Sequence, residues 1–191
     1  GLILNSGNNI QYYIYAENDS SGRFSPERAA YEYHSIQNPI NPGDIVLNEV
    51  MAKNETTVSD QSGEYDDWIE LYNPTNTPIS TSGLYLSDDS TNLSKWPMPD
   101  KVISSDDYLI VWADEDSDQN GLHSNFKISS NGESIYLSNY TSIIDSISIP
   151  EQIADMSYAR SPNGTATRAR ARPRAWCWSP TSSASTTPPS S

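Results

Sequence analysis

The chain has 191 residues, room for one or two domains, and carries 11 Lys and Arg against 25 Asp and Glu, a net charge of −14. Apolar residues make up 35% and aromatics 10%, with twelve Tyr and five Trp, an aromatic load that argues against a wholly disordered acidic chain. No apolar run is long enough for a transmembrane helix, the single cysteine (Cys177) excludes an internal disulfide or a cysteine zinc cluster, and the acidity disfavours nucleic acid, whose phosphates require Lys and Arg.

No basic stretch followed by an apolar one opens the sequence, so a signal peptide is not expected within it. Residues 1–43 hold four acids and two arginines, residues 44–164 hold 21 acids and five bases (a net of −16), and residues 165–191 hold four arginines and no acid. The charge imbalance therefore lies in the middle segment. Residues 1–37 read as a β-hairpin: 10–17 and 29–36 alternate as strands do, with the Asn18-Asp19-Ser20-Ser21-Gly22 turn cluster between them. A hairpin alone is marginal in water. Two readings are open, the trailing end of an upstream immunoglobulin- or fibronectin-III-like domain, or an edge hairpin packed on the middle segment. Residues 38–43, with two prolines and a glycine, read as a linker.

Residues 44–164 are a procession of short strands, expected at 45–52, 68–72, 84–87, 108–113, 134–137, 143–149 and 157–160. Turn signals such as Asn73-Pro74, Ser82-Gly83, Asn131-Gly132 and Asn163-Gly164 separate them. No window carries a helical apolar stripe, so the fold class is all-β, an antiparallel β-sandwich or a barrel. Trp68, Trp96 and Trp112 are the expected core anchors, with Tyr108, Ile110 and Trp112 sharing an inner face. Residues 165–191 form a low-complexity tail in which Arg alternates with small residues before a Ser/Thr/Pro run. It reads either as a stalk or as a shifted reading frame, with weak order expected after about Ala166.

Three acidic groups stand out. In the 114–121 tract, Asp114, Asp116, Asp118 and Asn120 place oxygen at every second position, a pattern suited to calcium. An EF-hand is excluded, because its twelfth position would be Lys127 where a bidentate Glu is required. The alternative is a solvated acidic loop. Asp88-Asp89 could join this tract, or simply form a turn. Glu49 and Glu70 both sit mid-strand, where a carboxylate pair could serve a glycosidase-like hydrolase; the stronger reading is a polar strand face. His123 reads as a structural hydrogen-bonding residue rather than a ligand. Asn54 and Asn139 head glycosylation sequons.

The runs Ile45-Val46-Leu47-Asn48-Glu49-Val50-Met51-Ala52, Asp66-Asp67-Trp68-Ile69-Glu70-Leu71-Tyr72-Asn73-Pro74, Ser82-Gly83-Leu84-Tyr85-Leu86-Ser87-Asp88-Asp89 and Lys95-Trp96 carry a further signal. With 108–115, 122–129 and 132–137, they resemble the lamin tail domain, the immunoglobulin-like tail of intermediate-filament proteins, in its bacterial secreted and surface version. The resemblance covers roughly 44–164. It implies an immunoglobulin-like sandwich, no catalytic residues, and an interaction or spacer role in a larger exported protein at the cell surface. The partner would be a protein or a glycan, since the charge of the middle segment disfavours nucleic acid. Calcium is the one cofactor expected, by way of the Asp-rich loop.

Overall fold

In the computed structural model, which describes residues 9–28, 32–37 and 39–171, every regular element is a β-strand. The N-terminal segment forms two separate antiparallel ladders. The strand expected over 10–17 breaks at Tyr13 into β1 (Asn9–Tyr12) and β2 (Ile14–Glu17). β2 pairs with β3 (Gly22–Ser25), and β1 pairs with β4 (His34–Gln37). Asn18 closes the β2–β3 turn, its Oδ1 accepting from the Ser20 and Ser21 amides at 2.9 Å. β3 was masked in the sequence by its glycine and arginine. The start of the strand expected over 29–36 falls partly outside the described residues.

The sandwich begins earlier than the sequence suggests. Ile40, in the segment read as a linker, is buried in the main core. The larger sheet runs β11–β6–β5–β14–β15, where β5 is Val46–Met51, β6 Trp68–Tyr72, β11 Tyr108–Trp112, β14 Ser157–Arg160 and β15 Arg168–Ala171. The smaller sheet runs β13–β12–β8–β9, with β8 Tyr85–Ser87, β9 Trp96–Pro97, β12 Glu133–Ser138 and β13 Ile143–Ile149. A two-residue ladder joins β7 (Ile79–Ser80) to β10 (Val102–Ile103). Between the sheets lie Leu47, Val50, Ile69, Leu71 and Val111 from one side and Leu86, Ile135, Leu137 and Ile147 from the other, with Trp96 and Phe126 in the same core. Each such aliphatic side chain contributes about 1.5–3 kcal/mol on burial.

A bulge at Asn48 shapes β5. Leu47 pairs with Leu71, but the next partner of Glu70 is Glu49, so one extra residue is inserted. Strict alternation would send Leu47 and Val50 to opposite faces; the bulge turns both inward. The disturbed backbone is then satisfied by side chains. Asp145 Oδ2 accepts from the Leu47 amide at 2.8 Å, and Arg160 Nε donates to the Leu47 carbonyl at 2.9 Å. Asp145 and Arg160 form a bidentate pair at 2.6 and 2.8 Å, and Arg160 Nη1 also donates to the Thr165 carbonyl at 2.6 Å.

The outer face of the larger sheet is also buried, which corrects the expected inward placement of Tyr108, Ile110 and Trp112. Met51, Trp68 and Trp112 make a second apolar cluster there, with Val58 and Ile110 packed on it. Val58 belongs to the long β5–β6 connection, residues 52–67, which folds over the sheet. Asn54 staples this connection: its Nδ2 donates to the carbonyls of Val58 and Asp66 at 2.6 and 2.8 Å. Asp155 fixes its start, accepting from the Glu55 and Thr56 amides and from the Thr56 and Thr57 hydroxyls at 2.6–2.9 Å.

Order continues past Ala166. β15 pairs along its length with β14, from Ser157 opposite Ala171 to Arg160 opposite Arg168. Arg168 and Arg170 donate to the carbonyls of Ser146 and Glu151, so these arginines serve the sandwich. The rest of the tail, including Trp176, Cys177 and Trp178, lies outside the described residues. Among those described, no helix is long and apolar enough to cross a membrane.

Candidate functional site

Two loops meet beside the outer apolar cluster. One is the β5–β6 connection; the other leaves β11 and runs through the 114–121 tract. Ala113 donates its amide to the Asp67 carbonyl at 2.7 Å, and the loop folds back on β11: the Trp112 amide donates to the Leu122 carbonyl and the Ser124 amide to the Trp112 carbonyl, both at 2.8 Å. Gln119 Nε2 donates to Glu64 Oε2 at 2.6 Å, joining the loops through side chains. Gly121 makes the approach possible. Its φ is +131°, and a Cβ there would lie 2.9 Å from both Gln61 Oε1 and His123 Nε2.

The residues expected to bind calcium divide into two kinds. Asp114 is buried and both its oxygens are engaged: Oδ1 accepts from the Asp116 amide at 3.0 Å, and Oδ2 lies 2.6 Å from His123 Nδ1. Asp116, Asp118 and Asn120 are exposed on the same loop. Asp116 Oδ2 lies 3.4 Å from Gln119 Nε2, and the Asn120 carbonyl faces His123 Nε2 at 3.1 Å. Both ring nitrogens of His123 therefore face acceptors. Burial would lower its pKa, but the Asp114 carboxylate and the Asn120 carbonyl outweigh burial and hold it above the ordinary imidazole value.

A second carboxylate group sits on the facing loop. One oxygen each from Asp60, Glu64 and Asp66 lie within 4.8 Å of one another, an arrangement that could coordinate a divalent ion. Asp60 Oδ1 accepts from the Ser62 and Glu64 amides at 2.9 and 2.7 Å, a turn that brings Glu64 round beside it. Asp60 Oδ2, Asp66 Oδ2 and Gln119 Oε1 are buried and have no hydrogen-bond partner. The Asp66 pKa is raised, first by burial and then by the carboxylates of Asp114, Asp60, Glu64 and Asp116. The sequence is dense in acids over 64–67, but Gly63 and a turn separate Asp60 from them, and only the fold closes the group.

The other acidic residues singled out in the sequence make contacts within the fold. Glu49 and Glu70 are cross-strand partners, as their strands suggested, and both are buried. Glu49 accepts from the Ser157 hydroxyl, and Glu70 Oε1 accepts from Asn48 Nδ2 at 2.7 Å. Asp88 pairs with Lys95 at 2.6 Å, while Asp89 closes a turn on Thr91 at 2.7 Å. Asn54, head of one sequon, is buried as the staple described above.

Comparison with known proteins gives one finding that bears on the whole sandwich. A family model described as Lamin Tail Domain matches residues 38–151. The match begins just before Ile40 and runs through both sheets to the end of β13, leaving β14 and β15 beyond it. A search of curated proteins finds no matching relative.

Proposed function

We propose, from the premise that the chain belongs to the lamin tail domain family, that this non-catalytic interaction or spacer module is part of a larger exported bacterial protein and engages a protein or glycan partner at the cell surface. The observation that carries the reading is the use made of the mid-strand carboxylates. Glu49 and Glu70 are buried within the sheet and hydrogen-bonded to Ser157 and Asn48. A glycosidase-like pair must instead flank a sugar and a water. The net charge of −16 over residues 44–164 favours a cationic or neutral partner and disfavours nucleic acid.

A reporter fused to the full chain tests this on purified bacterial envelopes. Binding that is abolished by protease treatment of the envelope identifies a protein partner; binding abolished by glycan hydrolases identifies a glycan. Retention on double-stranded DNA at physiological salt, or hydrolysis of envelope glycan by the chain itself, would overturn the proposal.

A second reading is a calcium-stabilised β-module. The facing acidic groups, Asp60–Glu64–Asp66 on one loop and the 114–121 tract on the other, favour it. Calcium would rigidify the end of the sandwich where these loops meet, as suits a module that spaces its neighbours in a calcium-rich extracellular setting. Asp114, Asp116, Asp118 and Asn120 are the ligands suggested by the sequence pattern.

A further inference from the structure

We propose that Asp60, Glu64 and Asp66, joined by the side-chain oxygen of Gln119, form the binding site of a single calcium ion that locks the β5–β6 connection to the loop following β11. The inference rests on the calcium reading above and replaces its ligand set with another. Two independent observations support it. The first is geometric: one oxygen from each carboxylate falls within 4.8 Å of the others. Calcium takes oxygen ligands at about 2.3–2.6 Å, so ligands on opposite sides of the ion stand about 5 Å apart.

The second observation is unsatisfied polarity. Asp60 is only 7% exposed, yet its Oδ2 has no hydrogen-bond partner, and the same holds for Asp66 Oδ2 and Gln119 Oε1. A buried acceptor left unpaired is costly, and a buried carboxylate oxygen more so. Three such oxygens on two adjoining loops are a natural complement to a hard cation. The other oxygen of Asp60 already holds the turn, so the free one is left for a ligand. Asp114, by contrast, has both oxygens committed to Asp116 and His123. From its loop the ligand is thus Gln119, whose amide is set in place by Glu64.

Thermal melts and calorimetric titration of the full chain in EDTA, calcium chloride and magnesium chloride test the site. They would use wild type, the Glu64→Gln/Asp66→Asn double variant and the Asp116→Asn/Asp118→Asn double variant. At 100 times the dissociation constant, calcium should raise the wild-type melting temperature by roughly 5–10 °C, and magnesium by clearly less. Glu64→Gln/Asp66→Asn should melt higher than wild type in EDTA, because repulsion is relieved, and should lose the calcium response; a misfolded variant would not show that pair of signs. Asp116→Asn/Asp118→Asn should keep the response. No wild-type shift would overturn both the calcium reading and this site. A shift kept by Glu64→Gln/Asp66→Asn and lost by Asp116→Asn/Asp118→Asn would leave the calcium reading standing and overturn this ligand set. An equal response to magnesium would overturn the assignment to calcium.

Discussion

Replacing Arg160 by Met would test whether the Asn48 bulge depends on its ion pair. Arg160 and Asp145 are largely buried, with side chains 8% and 16% exposed, and the pair holds the two backbone groups of Leu47 and the Thr165 carbonyl. Arg160→Met keeps the aliphatic stem but leaves the Asp145 carboxylate only the Leu47 amide and the more distant Arg168, 4.0 Å away. Breaking a buried pair from one side costs about 3–5 kcal/mol. Arg160→Met/Asp145→Leu removes the remaining charge and should recover part of that loss. It should not recover all of it, because the Leu47 amide and carbonyl lose their partners, at about 1–3 kcal/mol for each buried group left unpaired. Equilibrium urea unfolding of both variants gives the two numbers directly. At about 4 °C for each kcal/mol, the single variant should also melt roughly 10 °C or more below wild type. A loss under about 1 kcal/mol for Arg160→Met, or a double variant as stable as wild type, would refute the claim that this pair satisfies the bulge.

Asp155 offers a pH test. Its pKa lies well below the ordinary carboxylate range, held there first by the Thr56 hydroxyl and then by the Thr56 and Glu55 amides. A depressed folded pKa stabilises above the unfolded value of about 3.9, and that stability is lost as pH falls through the folded pKa. Asp155→Asn should therefore be clearly less stable than wild type at pH 7, with the gap closing below about pH 4; a gap independent of pH would refute the account. Trp68→Ala should cost about 3–5 kcal/mol in chemical unfolding, because Trp68 is fully buried beneath the β5–β6 connection. A cost near that of an exposed aromatic would show that the connection does not cover it. Gly121→Ala should lower the melting temperature and weaken any calcium response, since its Cβ would crowd Gln61 and His123; an unchanged response would separate the ion from the loop contact. Hydrogen bonding to Asp106 pushes the Tyr72 pKa up to about 12, so ultraviolet titration of Asp106→Asn should show one more tyrosine ionising near pH 10 than in wild type.

The sheets were legible because their strands carry dense β-branched and aromatic runs between strong turn signals. The strands expected around 45–52, 68–72 and 143–149 appear nearly where the alternation puts them. The pairing of Glu49 with Glu70 followed from strand neighbours alone. The facing of β11 did not. Alternation sets Tyr108, Ile110 and Trp112 on one side, but it cannot say which side faces the other sheet when a long connection buries both. Short ladders such as β7–β10 carry too few residues for any period. The acidic group around Asp60 was invisible for another reason: its members become neighbours only through the turn at Gly63 and the approach of Gln119 from more than fifty residues away. His123, expected to serve hydrogen bonds, faces Asp114 and the Asn120 carbonyl.

The order of strands in the larger sheet has a mechanical consequence. β15 is antiparallel to β14, which is antiparallel to β5, so β5 and β15 run in the same direction. The chain enters the sheet at Val46, at one end, and Ala171, the last described residue of β15, lies at the opposite end. A pull along the polypeptide would thus load the β5–β14–β15 ladders in shear, with their hydrogen bonds sharing the force, rather than peeling them apart one after another. In a chain of linked domains, this arrangement makes the module an in-line strut.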